Sequence, residues 1–246
     1  MSTRGAAASP AHAGMYPDVE AAVRCALNSS VTPVLVGIHL QESENTLKAL
    51  ENSSINVPVF VGIHPWYLKE HSFDEILFEK LLSSPLVLGI GECGLDNKID
   101  VPLDTQIELL SLHLDEAVKH DLPVNLHIRG YHGELVRVIK SYNGRIRGVV
   151  HNFTFSFEVA KKYLDLGMYL SVGHHIIKPS LKMTEVLRSV GAEHILLETD
   201  YDYVHTGDYA PDLLKNCYKS LGSILGITAD KIEHLVELNI KNLLRI

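Results

Sequence analysis

Short apolar runs alternate with amphipathic stretches along this chain. The runs are PVLVGIHL (33–40), VPVFVGIHP (57–65), LVLGIGECG (86–94), PVNLHIR (123–129), RGVVHNF (147–153), MYLSVGHH (168–175) and ILLETD (195–200). Each is continuous and rich in Val, Leu and Ile, as expected for strands buried on both faces. Helical patterns fall between them. The clearest spans 105–120, with Ile107, Leu110, Leu114 and Val118 along one face and Asp104 placed to cap it. Two more fit 212–225 and 229–244, with Gly226 ending the first.

Strand followed by helix, repeated, implies parallel pairing with right-handed crossovers. An α/β fold of this kind is either an open doubly wound sheet or a (β/α)8 barrel. No glycine-rich phosphate loop follows an early strand, which weakens the dinucleotide-binding alternative. No linker divides the chain after the opening. The expected organisation is a flexible segment over 1–14 and a single domain over 15–246.

Composition narrows the classes. The chain has 246 residues, enough for a substantial core without disulfide or metal staples. With 22 Lys plus Arg against 30 Asp plus Glu, the net charge is −8. That argues against a broad basic face coating nucleic acid, and leaves room for a small local phosphate site. Cys25, Cys93 and Cys217 form neither a disulfide framework nor a thiolate metal site, so a reducing, cytoplasmic setting is expected. No long apolar run predicts a membrane span, and the opening MSTRGAAASPAHAG lacks the apolar core of a signal peptide. Histidine is the residue in excess, with 14 copies.

Several of these histidines, with carboxylates, sit where apolar runs end: His64, Glu92, His127, His151, and the pair Glu198 and Asp200. In a barrel all strand C-termini open on one face, so residues far apart in sequence converge there. Imidazoles and carboxylates together suit a hydrolytic cation such as Zn, Mn or Mg. A carboxylate between two such ions can hold them about 3.5–4 Å apart, and the ions lower the pKa of water toward ~7. Taken singly, a histidine at a strand end is usually a hydrogen-bonded core or rim residue, and Glu92 between Gly91 and Gly94 also reads as a strand ending in a tight turn. Five such ends in one chain favour a shared polar site. Glu198 and Asp200 alternate on a strand and so point to one face.

At these residues the sequence resembles the TatD family of metal-dependent hydrolases, a branch of the amidohydrolase-like TIM barrels. The resemblance runs from about residue 15 to the end. It is carried by GIHPW (62–66), GECGLD (91–96), PVNLHIRG (123–130) with His132 following, VVHNF (149–153), LLETD (196–200) and the tail ELNIKNLLRI. It implies a (β/α)8 barrel with one or two divalent ions, Mg, Mn or Zn. The implied activity is a deoxyribonuclease acting from 3′ ends, with DNA ends or single-stranded nucleic acid as substrate. A monomer that does not engage membranes is expected. Glu92 resembles the carboxylate bridging two metals, and His127 and His151 the imidazoles completing one position. Asp200 resembles the carboxylate that binds the other metal and helps activate water. His64 resembles a substrate-side histidine that contacts or protonates the scissile phosphate. Arg129 either faces a phosphate oxygen or is a surface ion-pair partner. Glu198 is expected behind the ligands, bracing one of them. Trp66, Tyr201 and Tyr203 are candidates to stack on a base, against ordinary rim packing.

The sequence departs from the family at its start. Members usually open with a strand carrying an HxH pair; here the stretch is AAASPAHAGMYPD. Aligning Tyr16, Pro17 and Asp18 with a common opening puts His12 at the second histidine and Pro10 at the first. The small residues before Pro10 offer little apolar mass, and proline removes a strand donor. The first strand is therefore expected to be weak or missing, and the first metal position short of at least one ligand. An altered or spliced natural N-terminus, loss of that strand from the sequence, and drift away from catalysis are competing explanations. Thr154, Phe155 and Ser156 replace a usual Ser-Gly step, and Tyr201, Asp202 and Tyr203 replace an Ala-Pro-Tyr-like step. His174 and His175 are placed at the same rim. Two alternatives to the nuclease stay open: an amidase or esterase using the same metals, and an impaired member that only binds a partner.

Overall fold

The computed structural model describes residues 6–12, 18–199 and 211–246. Its strands are β1 Ala6–His12, β2 Thr32–Val36, β3 Val59–Val61, β4 Val87–Asp96, β5 Val124–Arg129, β6 Gly148–Val150, β7 Tyr169–Val172 and β8 Ile195–Leu197. They form one eight-stranded sheet in the order β1 to β8, all pairs parallel. Sequence order without reversal leaves no switch point of the doubly wound kind, and β1 also approaches β8. The sheet is thus the curled sheet of a (β/α)8 barrel. Each of the seven apolar runs overlaps one of the strands β2 to β8.

Outside the sheet lie α1 Val19–Asn28, α2 Leu40–Asn52, α3 Glu75–Leu82, α4 Leu103–His120, α5 His132–Ser141, α6 Phe157–Leu164, α7 Leu181–Val190, α8 Pro211–Leu225 and α9 Ala229–Leu244. Gly226 ends α8 with φ +69, the left-handed conformation that glycine adopts without a Cβ penalty. On α9, Asn239 Nδ2 donates to the carbonyls of Ala192 and Ile195 at 2.8 and 2.9 Å, tying the last helix to the start of β8.

Two expectations about helix α4 need correction. Its N-cap is Pro102, and Asp104 lies inside the first turn, where its carboxylate still complements the helix dipole. Its buried stripe is Gln106, Leu109, Leu110, His113, Leu114 and Ala117, while Ile107 and Val118 are only partly buried. The two polar members are inside because they are bonded. His113 Nε2 accepts the Ile63 N–H at 3.0 Å, and its Nδ1 donates to the Leu109 carbonyl at 2.8 Å. Burial pushes the His113 imidazole down to about 4, against a smaller upward pull from the Leu109 carbonyl.

A strand occupies Ala6–His12. Pro10, Ala11 and His12 pair with Val34, Leu35 and Val36, and the register breaks between Ala6 and Pro10. The strand is present but irregular. Parallel pairing is a backbone matter, and β2 supplies the partner strand. The backbone of His12 ends β1, at the C-terminal end of the sheet.

Candidate metal centre and cleft

Strand β4 does not stop at Glu92 but runs on to Asp96, with a register shift between Ile90 and Cys93. Gly91 and Gly94 make this possible. Their φ values are +137 and +154. A Cβ on Gly91 would lie 2.5 Å from the Asn125 carbonyl oxygen, and one on Gly94 1.9 Å from that of His127. The glycines on either side of Glu92 therefore let β4 press against β5, rather than forming a terminal turn.

That approach brings the strand ends together. Glu92 is buried, and its Oε1 lies 3.0 Å from His127 Nδ1, 3.5 Å from His64 Nε2 and 3.9 Å from His151 Nε2. The ligand atoms offered by His64, Glu92 and His127 all lie within 4.8 Å of one another. Burial raises the Glu92 carboxyl; His151 and His64, with the His127 hydrogen bond, outweigh it and hold the group well below the usual carboxylate range.

On His151 and His127 the outer ring nitrogen meets a buried carboxylate. His151 Nδ1 donates to Glu198 Oε2 at 2.9 Å, which in the neutral ring puts the lone pair on Nε2, the nitrogen that faces Glu92. Glu198 also accepts the Asn152 N–H at 2.8 Å and the hydroxyl of Ser171. His127 Nε2 lies 3.1 Å from Asp96 Oδ2. Burial lowers the His127 imidazole, but Asp96 and Glu92 together raise it above its ordinary value. Glu198 thus holds the His151 ring, and Asp96, a residue of the GECGLD motif that the sequence reading did not single out, does the same for His127.

Asp96 is itself pinned. Gln106 accepts the Asp96 N–H at 2.8 Å and donates to its carbonyl at 3.0 Å. Its carboxylate takes the Trp66 indole N–H at 2.7 Å and the Lys98 N–H at 2.7 Å. Burial raises the Asp96 carboxyl, but the donors His127, Trp66 and Lys98 hold it below the ordinary value.

His64 differs from the other two imidazoles. Its Nδ1 accepts the Trp66 backbone N–H at 3.2 Å, so the neutral ring carries its proton on Nε2. His113, through Ile63, anchors the backbone just before it.

A cleft of about 460 Å³ opens over this group, lined among others by His64, Trp66, Arg129, Asn152 and Phe155. Arg129 is exposed at the end of β5. His174 and His175 are exposed in a turn after β7, with ring centroids 4.3 Å apart, and are not among the described residues lining the cleft. Asp200, Tyr201 and Tyr203 lie outside the described residues, as does the side chain of His12. A second group of metal-type side chains, Glu79, Glu116 and His120, sits on α3 and α4, and the Lys119 ammonium pairs with both carboxylates.

The model of the TatD related DNase family matches residues 8–245. The chain belongs to the TatD-related DNase family. Relatives of this TatD-family protein include an Escherichia coli protein described as an uncharacterized metal-dependent hydrolase, YjjV. It is 31% identical over 211 residues, covering 82% of this chain and 76% of the relative. The 3′-5′ ssDNA/RNA exonuclease TatD of Pantoea vagans is 25% identical over 244 residues, covering 93% of this chain and 94% of that one. Among solved structures, the crystal structure of the E. coli TatD homolog YjjV aligns with a TM-score of 0.82 at 26% identity, covering 98% of each chain. The chain is thus a member of a family of metal-dependent hydrolases, with candidate metal-binding groups at its strand ends.

Proposed function

We propose that this TatD-family protein is a metal-dependent phosphodiesterase that removes nucleotides from the 3′ end of single-stranded DNA. The observation that carries the reading is the convergence of three imidazoles on Glu92 Oε1, two of them with their outer nitrogens held by buried carboxylates. The donor set fits a divalent cation. His151 Nε2 and His127 Nδ1 face a carboxylate oxygen rather than a hydrogen-bond donor, and carboxylate–histidine pairs of this kind orient metal ligands.

Glu92, His127 and His151 would hold one ion, and Glu92 would reach toward a second, shared with Asp200 and His12. Because Pro10 stands where the family has the first histidine of its pair, the position shared with Asp200 and His12, the one expected to lack a ligand, would bind more weakly. When bound, divalent ions lower the pKa of water toward ~7 and offset charge growing on phosphoryl oxygens.

The other residues bind, orient and move protons. His64 Nε2 lies 3.5 Å from Glu92 Oε1 at the floor of the cleft, and the ring would forfeit the Trp66 N–H bond if it ligated through that atom. It therefore serves as a donor to a phosphate oxygen or leaving group, not as a ligand. Arg129 at the rim offers a guanidinium to the phosphate. Asp200 takes the proton of the attacking water. Names among the relatives support the nucleic-acid substrate. A net charge of −8 suits a small site gripping a strand end better than a long track.

A substrate panel tests the reading: 3′-labelled single-stranded DNA, single-stranded RNA and carboxylic esters, each with Mg²⁺, Mn²⁺ or Zn²⁺ and with chelator. The expected result is stepwise, chelator-sensitive loss from the 3′ end of DNA. Turnover of carboxylic esters alone would overturn it and place the protein among amidases or esterases.

A further inference from the structure

Trp66 is the chain's one tryptophan, and 52% of it is exposed. Indoles are normally mostly buried, so an exposed one at a cleft mouth invites an account. This one is held in place. Its Nε1–H donates to the buried Asp96 at 2.7 Å and its backbone N–H to His64 at 3.2 Å. The ring centroid lies 5.0 Å from that of His64 and 6.3 Å from that of His127, at interplanar angles of 81° and 72°. Among the described rings, none stacks parallel on it. A large aromatic that is rigid before binding offers contact area at little cost in conformational entropy.

The rest of the cleft has matching chemistry. Tyr67, Phe155 and Ile38 line it beside the charged Arg129. A phosphate alone needs no apolar wall, and about 460 Å³ is more space than a phosphate fills. We propose that the exposed indole of Trp66 is the stacking platform for the nucleobase beside the scissile phosphate, its plane fixed by Asp96. The inference rests on the phosphodiesterase reading and names the part of the substrate that the cleft grips.

Because Trp66 is the sole tryptophan, its fluorescence reports on the platform in the unmodified protein. The probes are thymidine monophosphate and base-free deoxyribose 5-phosphate, both with Mg²⁺ present. Saturable quenching by the nucleotide and little by the sugar phosphate is expected. Equal response to both, or none to either, overturns the platform.

Kinetics on a short single-stranded oligonucleotide separate stacking from bracing. Trp66→Ala should raise KM about 5- to 150-fold, the worth of one base–aromatic stack, whereas Trp66→Phe keeps a ring and should stay within about threefold of wild type. If Trp66→Phe loses as much as Trp66→Ala, the residue acts through Asp96 and the platform is wrong. If wild type cleaves no DNA yet is quenched selectively by the nucleotide, the nuclease reading fails and the base site stands. DNA cleavage with an unaltered KM in Trp66→Ala sinks the inference and spares the nuclease.

Discussion

Replacing Asp96 by Asn keeps the shape of the side chain and removes its charge. The carboxylate is met by three donors: His127 Nε2 at 3.1 Å, Trp66 Nε1 at 2.7 Å and Lys98 N at 2.7 Å. An amide has one oxygen and one NH₂, so either orientation sets an N–H against at least one of them. The better orientation turns the oxygen to His127 and Trp66 and abandons Lys98. Even then the bond to His127 is no longer charge-assisted. Such bonds contribute roughly 1.5–3 kcal/mol against 0.5–1.5 for neutral ones, so His127 loses on the order of 1 kcal/mol of bracing, along with basicity as a ligand. Loss of an outer carboxylate of this kind costs about 10- to 100-fold in metal affinity. Calorimetric titration with Mn²⁺ and Zn²⁺ reads this directly, with circular dichroism showing that the variant is folded. A folded Asp96→Asn protein whose Kd stays within about twofold of wild type would refute the bracing argument.

Three further outcomes follow from the same geometry. Glu198→Gln should weaken metal binding by a similar 10- to 100-fold, roughly, because one amide cannot accept from His151, Asn152 and Ser171 together, and unchanged affinity by the same titration would contradict this. His113 has its pKa depressed from 6.5 to about 4, so between these values the unfolded chain binds a proton that the folded one refuses. Its contribution of roughly 3 kcal/mol is full above the unfolded value and fades as pH falls through that window. Denaturant melts of wild type should steepen in pH dependence there relative to His113→Gln, and parallel curves would count against it. Gly94→Ala should cost more than about 3 kcal/mol, since its Cβ would meet the His127 carbonyl oxygen, and an unchanged melting temperature would oppose that.

The legibility of this fold follows from its physics. Strands of a parallel barrel are buried on both faces, so β2 to β8 read as unbroken apolar runs. Strand β1 carries no such mark: the sequence AAASPAH has no apolar run, and Pro10, Ala11 and His12 pair with Val34, Leu35 and Val36. The convergence of His64, Glu92, His127 and His151 was legible because parallel strands all end on one face. Asp96 was not, because Gly94 suggested a turn where a shifted register carries β4 onward. Its signal was a carboxylate inside GECGLD, four residues beyond Glu92. His113 and Gln106 escaped because a polar residue on a helix looks exposed until its partners, Ile63 and Asp96, are known. His64 was legible as a site residue, and the Trp66 N–H that sets its tautomer was not.

In the proposed function, Glu92 organises a metal site that cleaves phosphodiesters. Its most direct test is single-turnover cleavage of 3′-labelled single-stranded DNA by wild type and Glu92→Ala, with Mn²⁺ and with chelator. Stepwise release from the 3′ end by wild type with metal alone is the predicted result. Equal release by Glu92→Ala, or release that survives the chelator, would contradict it.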